Sequence, residues 1–286
     1  MPSLLTDSSA GGYRFFYTDE DAAAGPPVLM VHSSGMSAQQ WRKLRAALLP
    51  THRVILPDLI GYGQSDALRE PFDASQDLAG LEALLRQVAA ERAVHLVGHS
   101  YGGFLALQLA RRAPLLLASL TLFEPVLYGA LWSSGDEEGR ADLKGMMDEP
   151  TFLDPAHGGS DAWLERFVDY WNGPGAWARM TPAARGFMQT TGRKVFHEVS
   201  AVSATDVGFA DFAGLGQQVP TLLVRGAATN PGARRVVEAL APLLPAQVAI
   251  IPGAGHNSPL THADQALSVL LPHLRGAEAQ RRRHDS

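Results

Sequence analysis

The chain has 286 residues, of which 46% are hydrophobic, and its formal net charge is −5. This composition is typical of one large globular domain, or of a domain with an inserted lobe, and it excludes a mainly disordered chain. The modest negative charge gives no reason to expect nucleic acid as a partner, and the lack of cysteine excludes disulfides, thiolate catalysis and cysteine-based zinc sites.

The sequence has no features of a targeted or membrane-bound protein. Its N-terminal segment has no basic stretch followed by an apolar core, so no signal peptide is predicted. Its longest apolar runs are too short and too interrupted to span a bilayer. We therefore expect a cytoplasmic protein with no membrane partner.

Short apolar runs alternate with stretches of helical periodicity through much of the chain. In chain order we predict a strand and turn at 26–35, a strand and glycine-rich loop at 52–66, a helix at 77–91, a strand at 93–100, a helix at 102–114 and a strand at 117–125. Near the C-terminus the same alternation predicts a strand at 219–226, a helix at 233–244, a strand at 246–255 and a helix at 263–274. The strands are continuous apolar runs, which indicates burial on both faces. The pattern therefore predicts an α/β fold with a mostly parallel central sheet flanked by helices.

Residues 127–215 interrupt this alternation. They contain no clear strand, and they hold four of the five tryptophans, namely Trp132, Trp163, Trp171 and Trp177. We predict a helical lid here, inserted into a core formed by residues 1–126 and 216–276. An ordinary helical subdomain with an aromatic core is the alternative, and both descriptions can hold together. The charged segment 277–286 has no apolar period and is predicted to be a flexible tail.

A serine between glycines follows the predicted strand at 93–100. The stretch "GHSYGG" places Ser100 between that strand and a helix, in the pattern G-x-S-x-G. Gly98 and Gly102 leave room for a sharp, strained turn that lifts the serine hydroxyl off the carboxyl edge of the sheet, where open α/β sheets bind ligands. The helix N-terminus also favours a developing anion. We predict that Ser100 is a nucleophile; the alternative is a glycine-rich turn with an incidental serine.

A base and oxyanion donors are also predicted near the strand ends. His256 follows the last predicted strand in "IIPGAGH" and is the expected base, with His262 as the alternative. Two backbone N–H groups form the expected oxyanion hole, those of Tyr101 and of Ser34 in "HSSG". The Ser34 hydroxyl either adds a third donor or bonds to its own loop, and the sequence does not choose between these.

The motifs "HSSG", "DLIGYGQSD", "GHSYGG" and "GAGH" occur in an order and spacing that resemble the α/β-hydrolase superfamily. The resemblance covers residues 13–126 and 216–275. It implies the α/β-hydrolase fold, with the insertion as a family-specific lid. It also implies a catalytic triad of serine, histidine and an acid. Asp58 in "DLIGYGQSD" is expected to organise its turn rather than to react.

The sequence departs from the family pattern at the acid of the catalytic triad. The family usually carries an aspartate three or four residues after the glycine that ends the "PTLLVRG" strand, but Thr229 and Asn230 stand there. Glu124, at the end of the strand after the nucleophile's helix, is the predicted replacement. Certain haloalkane dehalogenases are similar in placing their acid on this strand. Asp206 and Asp211 remain alternatives for the acid, and the alternative for Glu124 is that it holds the lid hinge or forms a surface ion pair.

These residues together favour acyl transfer. We expect a hydrolase that cleaves a carboxylic ester, or a lactone or thioester, of a small and partly apolar molecule through an acyl-enzyme. No cofactor or metal is expected, and the only partner expected is the substrate; the protein itself is expected to be a monomer or small homo-oligomer. Two alternatives stay open: a hydrolase that cleaves a C–C bond of a ketone or diketone with the same triad, and a non-catalytic ligand receptor on the same fold.

Overall fold

The computed structural model describes residues 3–5, 12–21, 25–148, 151–204 and 206–284. Within them lies an eight-stranded sheet with the spatial order β1-β2-β4-β3-β5-β6-β7-β8. Its strands are β1 (Ser3–Leu5), β2 (Arg14–Glu20), β3 (Pro27–Val31), β4 (Arg53–Pro57), β5 (Val94–His99), β6 (Leu117–Phe123), β7 (Thr221–Gly226) and β8 (Gln247–Ile251). β1 and β2 are antiparallel to their neighbours, and β3 to β8 run parallel. The predicted mostly parallel sheet is confirmed.

Helices cover both faces of the sheet. In chain order they are α1 (Arg42–Leu48), α2 (Ala74–Val88), α3 (Tyr101–Arg112), α4 (Tyr128–Ser133), α5 (Glu137–Met147), α6 (Asp161–Asn172), α7 (Ala176–Arg179), α8 (Pro182–Ala204), α9 (Leu215–Gln218), α10 (Pro231–Leu243), α11 (Ser258–Thr261) and α12 (Ala263–His284). One apolar cluster joins α2, α3 and α10 to the sheet, and a second joins α1 and α12 to it. Strands β3 to β7 are therefore buried on both sides, which explains their continuous apolar runs, whereas the edge strand β8 is largely exposed.

The parallel strands bring the predicted site residues to one edge of the sheet. Strands β3, β5, β6, β7 and β8 are successive neighbours, and their carboxyl ends lead into the "HSSG" loop, Ser100, Glu124, Gly226 and the loop of His256. Residues far apart in sequence meet here because parallel strands all end on the same side.

Helices α4 to α9 fill the chain between β6 and β7, where the sequence predicted a helical insertion. Part of the insertion has its own aromatic core: the Trp163 ring stacks on Phe152 at 5.1 Å and on Phe167 at 5.4 Å between centroids. The role of residues 127–215 as a lid, and the domain boundaries drawn around them, stay predictions.

Two parts of the fold differ from expectation. Strands β1 and β2 were not predicted. The flexible tail predicted at 277–286 is instead helical as far as His284, because α12 continues past residue 276. Ala277 is buried, and the Glu278 carboxylate lies 3.3 Å from His52 Nε2, so packing and a close polar contact hold this segment. Residues 285 and 286 lie outside the described part of the chain.

None of the helices described is both long and apolar enough to cross a membrane.

Candidate active site

Ser100 occupies a strained turn between β5 and α3. Its backbone has φ 55° and ψ −117°, a left-handed conformation that non-glycine residues rarely adopt. A Cβ atom at Gly98 would collide with the carbonyl of Gly102, and one at Gly102 would collide with the carbonyl of Val31. The two glycines are therefore required for α3 to approach the sheet this closely, and the turn aims the serine at the carboxyl edge.

His256 is hydrogen-bonded to Glu124. The histidine Nδ1 lies 2.7 Å from Glu124 Oε2, and both side chains are buried. Since a carboxylate only accepts, Nδ1 carries the proton and donates it to Glu124. In the neutral imidazole the lone pair then lies on Nε2. This is the tautomer that a general base for a serine needs.

The Glu124 carboxylate is fixed by two further donors. Oε1 accepts from the Gly226 N–H at 2.7 Å, and Oε2 accepts from the Thr229 hydroxyl at 2.6 Å. Thr229 stands where the family usually has its aspartate, and here it orients the carboxylate that comes from the neighbouring strand. Glu124 itself has φ 42°, which turns the chain at the end of β6 toward β7.

The alternative acids lie elsewhere. Asp206 and Asp211 are both exposed. Asp211 accepts from the Gly208 N–H at 2.8 Å and lies 3.8 Å from the Arg111 guanidinium, so it closes a surface turn. His262, the alternative base, contacts the Thr261 hydroxyl at 2.8 Å and is not among the residues that line the cavity beside Ser100.

Two rings hold His256 in place. Trp171 of α6 stacks on its imidazole with 3.7 Å between centroids and 23° between planes. His99 lies on another side, and its Nε2 donates to the His256 carbonyl at 3.0 Å. Burial lowers the pKa of His99 well below its usual value, so this ring is neutral. Neither contact was predicted from the sequence, because each depends on residues distant in the chain.

The "HSSG" loop is braced from several sides. The Ser33 N–H and hydroxyl both donate to Gln40 Oε1, at 3.0 and 2.9 Å. His32 donates from Nδ1 to the Ser33 carbonyl at 2.9 Å and accepts the Leu59 N–H on Nε2 at 3.0 Å. The Gly35 N–H donates to the Tyr62 hydroxyl at 3.0 Å. The loop backbone is therefore fixed before any ligand binds.

The turn that carries Leu59 is fixed in the same way. The Asp58 carboxylate accepts the N–H groups of Ala38, at 2.9 Å, and of Gln64, at 3.0 Å. Asp58 thus joins the "DLIGYGQSD" turn to the segment after the "HSSG" loop. This position agrees with the structural role that the resemblance implied for it.

The predicted oxyanion donors, the N–H groups of Ser34 and Tyr101, are available for a ligand. Among the described residues neither N–H has an intramolecular acceptor, and Tyr101 is the first residue of α3, where helical N–H groups have no partner within the helix. The Ser34 side chain interacts with the Glu198 carboxylate of α8 and opposes the rise in the pKa of that group. The two alternatives for the Ser34 hydroxyl, a third oxyanion donor or a bond to its own loop, stay predictions.

A buried ionic cluster lies behind this loop. Lys194 Nζ is 2.5 Å from Asp77 Oδ2 and 2.7 Å from Glu198 Oε1, and all three side chains are essentially inaccessible to solvent. The hydroxyl of Tyr62 donates to Glu198 Oε2 at 2.9 Å, and that of Tyr101 donates to Asp77 Oδ2 at 3.1 Å. The cluster connects α8 of the insertion to α2 and to the "HSSG" loop.

The charges in this cluster are strongly coupled. Burial raises the pKa of Glu198, although Lys194 opposes this shift. Burial would lower the pKa of Lys194, but the two carboxylates outweigh it and raise that pKa. Lys194 is therefore charged, and it compensates carboxylates that would otherwise be unpaired in the interior.

Ser100 and His256 line one cavity of about 350 Å³. Ser34 lines it from the "HSSG" loop, and Phe167, Trp171 and Met188 line it from the insertion. The three predicted catalytic residues are thus brought together, with Glu124 behind His256 and the two N–H donors beside Ser100. Their catalytic roles stay predictions.

This sheet order, with a strained serine after β5 and a histidine after β8, defines an α/β-hydrolase. The sequence profile of the α/β-hydrolase fold family matches residues 26–263, and the chain belongs to this family.

Similar proteins include lipase LipV of Mycobacterium tuberculosis (strain ATCC 25618 / H37Rv), which is 33% identical over 160 residues, covering 56% of this chain and 54% of LipV. A Thermogutta terrifontis esterase structure is 21% identical with a TM-score of 0.72, covering 96% of this chain and 98% of that one. The structure of a meta-cleavage product hydrolase from Pseudomonas fluorescens IP01 is 19% identical with a TM-score of 0.70, and the match covers 97% of this chain and 98% of that one. The matched part spans 35% to 54% of the length of the first curated relatives.

Proposed function

We propose that the protein is a serine hydrolase that cleaves a carboxylic ester through an acyl-enzyme. One observation carries the proposal: Glu124 holds the proton of His256 on Nδ1, which leaves Nε2 as the basic atom of a histidine that shares a cavity with Ser100. A serine paired with a base of this kind is the arrangement that acyl transfer requires.

In the proposed first step, the Ser100 hydroxyl passes its proton to His256 Nε2 as its oxygen attacks the ester carbonyl. The carbonyl oxygen becomes an anion and accepts hydrogen bonds from the N–H groups of Ser34 and Tyr101. These donors are already fixed, so little reorganisation is needed when the charge develops. Glu124 stabilises the imidazolium that forms.

The proposed second half consumes water. His256 returns its proton to the alcohol oxygen, the ester C–O bond breaks, and the alcohol leaves an acyl group on Ser100. Water then gives a proton to His256 and attacks the acyl carbon. Collapse of that intermediate releases the carboxylic acid and restores the Ser100 hydroxyl, so the net reaction is ester plus water to acid plus alcohol.

The cavity supports a small, partly apolar substrate. Phe167, Met180 and Met188 give it an apolar wall, and Asn172 and Arg179 give it polar groups. The lipase and the esterase among the similar proteins also favour ester hydrolysis.

The proposal is tested with a panel of p-nitrophenyl esters and lactones, assayed with the wild-type chain, Ser100→Ala and Ser134→Ala. Ser134 is the matched control, because its hydroxyl donates to the Leu131 carbonyl and accepts the Asp136 N–H, both within the insertion, and it does not line the cavity. Release of p-nitrophenol that is lost in Ser100→Ala and kept in Ser134→Ala supports the proposal. Hydrolysis that persists in Ser100→Ala contradicts it.

The same preparation separates the two alternatives. A C–C bond hydrolase would cleave a ketone or diketone faster than any simple ester, again in a Ser100-dependent way. A ligand receptor would be stabilised against heat by such compounds and turn none of them over.

A further inference from the structure

Two spaces of very different size meet at Ser100. The larger is the cavity of about 350 Å³ described above. The smaller, which we call the crevice, is about 10 Å³ and lies between Ser100 and the insertion. Ser34, Ser100, Phe167 and Trp171 border both spaces, whereas Tyr101, Val126, Tyr128, Glu198, Val199 and Val202 border only the crevice.

We propose that the crevice is the acyl subsite and accepts an acyl group of about acetyl size, while the alcohol part of the ester occupies the larger cavity. This inference rests on the proposed ester hydrolysis. It assigns to this chain a substrate class: short-chain esters, above all acetyl esters, of a larger and partly apolar alcohol.

The position of His256 determines which of the two spaces holds the alcohol part of the ester and which holds the acyl part. His256 must protonate the leaving oxygen, so the alcohol has to lie on the side of the site that this ring faces. His256 and Asn257 border the larger cavity, and neither is among the described residues that border the crevice. The alcohol therefore occupies the larger cavity. The oxyanion points to the N–H groups of Ser34 and Tyr101. The crevice is therefore the remaining space for the acyl chain.

The volume of the crevice limits the acyl group. A space of about 10 Å³ on this measure holds about one water molecule, and a methyl group is of similar size. The carbonyl carbon stands at Ser100, so about one further carbon fits beyond it. Longer chains would have to push the wall outward.

The wall of the crevice is held firmly. Val126, Val199 and Val202 are each at most 4% exposed, so they are packed on their far sides as well. Glu198 is fixed by Lys194 Nζ at 2.7 Å and by the Tyr62 hydroxyl at 2.9 Å. An apolar chain that reached this carboxylate would have to displace these hydrogen bonds, which adds to the discrimination against long acyl groups.

The test varies the acyl group with the leaving group held constant. We measure kcat/KM for p-nitrophenyl acetate, butyrate and octanoate. Because one methylene in a hydrophobic pocket changes kcat/KM by roughly 10- to 200-fold, kcat/KM for the acetate should exceed that for the octanoate by more than about tenfold. A series of acetates with larger alcohols should show no comparable loss. Ser100-dependent hydrolysis that favours the octanoate overturns the crevice assignment alone, and no Ser100-dependent hydrolysis of any ester overturns the proposed function with it.

Two variants test whether the wall of the crevice causes the preference for short acyl groups. Val202→Ala enlarges the crevice and should raise the butyrate-to-acetate ratio of kcat/KM by about five- to tenfold. Val168→Ala is the matched control, because Val168 borders the larger cavity and not the crevice, and it should leave that ratio unchanged. Val199→Ala repeats the test from the next turn of α8 if Val202→Ala is poorly folded. A ratio that moves with Val168→Ala and not with the α8 variants overturns the proposal.

Discussion

Glu124 and His256 are separated by 132 residues and meet with 2.7 Å between Oε2 and Nδ1. The acid comes from the end of β6, and the place after β7 where the family usually has its aspartate is taken by Thr229, whose hydroxyl donates to the same carboxylate oxygen. The contact is possible because β6 and β7 are neighbours, so a longer side chain from one strand reaches the histidine loop that crosses the end of the other.

The first prediction concerns Glu124. Glu124→Gln removes the charge that supports the imidazolium and allows the wrong histidine tautomer, so kcat should fall by about 10³- to 10⁴-fold. Asp211→Asn, on the surface, is the control and should stay near wild type. Steady-state kinetics on p-nitrophenyl acetate provide the measurement. Nearly full activity in Glu124→Gln, with collapse in Asp211→Asn, would show that the acid has been assigned to the wrong residue.

The second prediction concerns Glu198 as a positioning residue for the "HSSG" loop. Glu198→Ala removes the acceptor of the Tyr62 hydroxyl, which itself accepts the Gly35 N–H, so the loop that carries the Ser34 N–H loses a brace. The assay uses p-nitrophenyl acetate, whose acyl group is too short to need the space that the variant opens in the crevice. Since an oxyanion donor acts mainly in the transition state, kcat should fall by about 10- to 100-fold while KM changes by less than about threefold. Glu198→Gln keeps an acceptor and should recover most of kcat.

The control for Glu198 is Glu165→Ala on the exposed face of α6, which should change neither constant. Melting temperatures of all variants identify loss of folded protein. A folded Glu198→Ala protein with an unchanged kcat, or one in which only KM rises, would refute the positioning role.

The third prediction concerns the stability of the buried cluster. Lys194→Met leaves the Asp77 and Glu198 carboxylates facing each other without a cation, which should lower the free energy of unfolding by about 3–5 kcal/mol. Lys144→Met on the exposed surface of α5 should change it by less than about 0.5 kcal/mol. Urea denaturation gives both values.

The cost of Lys194→Met should also depend on pH. Burial already raises the pKa of Glu198, so without its cation this group takes up a proton at a still higher pH. The destabilisation should therefore be smaller in mildly acidic buffer than at about pH 8. A loss of less than about 1 kcal/mol at both values of pH would mean that the cluster does not need its lysine.

The fourth prediction concerns stability in acid. Burial, helped by repulsion from His95, lowers the pKa of His273 from 6.5 to about 4. Between pH 6.5 and about pH 4, His273 therefore binds a proton in the unfolded chain but not in the folded chain. The free energy of unfolding should therefore fall as the pH is lowered from 6.5 toward 4.

Substitution of His273 separates its contribution from that of the other titrating groups. His273→Gln should flatten the decline in acid, whereas His157→Gln on the exposed surface should leave it unchanged. Urea denaturation across this range of pH gives the slopes. Equal slopes for wild type and His273→Gln would contradict the prediction.

Local motifs were sufficient to predict the fold and to select Ser100 and His256 as site residues. Each lies in a short glycine-rich turn directly after an apolar strand, and the parallel sheet brings such turns to one edge. Glu124 could be selected because the usual acid position is visibly neutral and because Glu124 ends the strand that follows the nucleophile's helix. These are properties of neighbouring residues and of strand order, which a sequence displays directly.

The buried cluster could not be predicted in this way. Lys194 and Glu198 are four residues apart on a helix, a spacing that ordinarily indicates a solvated ion pair on the surface. Their burial depends on Asp77, 117 residues away from Lys194, and on the packing of α8 over the core. The bond from the Tyr62 hydroxyl to Glu198 and the stacking of Trp171 on His256 likewise depend on how the insertion lies on the sheet.

The helical structure of residues 277–284 was not predicted from the sequence, for a related reason. The segment after residue 276 is rich in arginine and shows no apolar period, so nothing local indicates a docked helix. Ala277 and Glu278 nevertheless contact the core, and His52 and His95, which meet Glu278, come from distant strands and loops.

The proposed mechanism requires that Ser100 carries the acyl group during turnover. Peptide mass spectrometry tests this on protein quenched in acid while it hydrolyses p-nitrophenyl acetate, with Ser100→Ala treated in parallel. We expect one acetyl group on Ser100 that forms with an initial burst of p-nitrophenol and is lost when substrate runs out. Turnover with the acetyl group on another residue, or turnover that continues in Ser100→Ala, would contradict it.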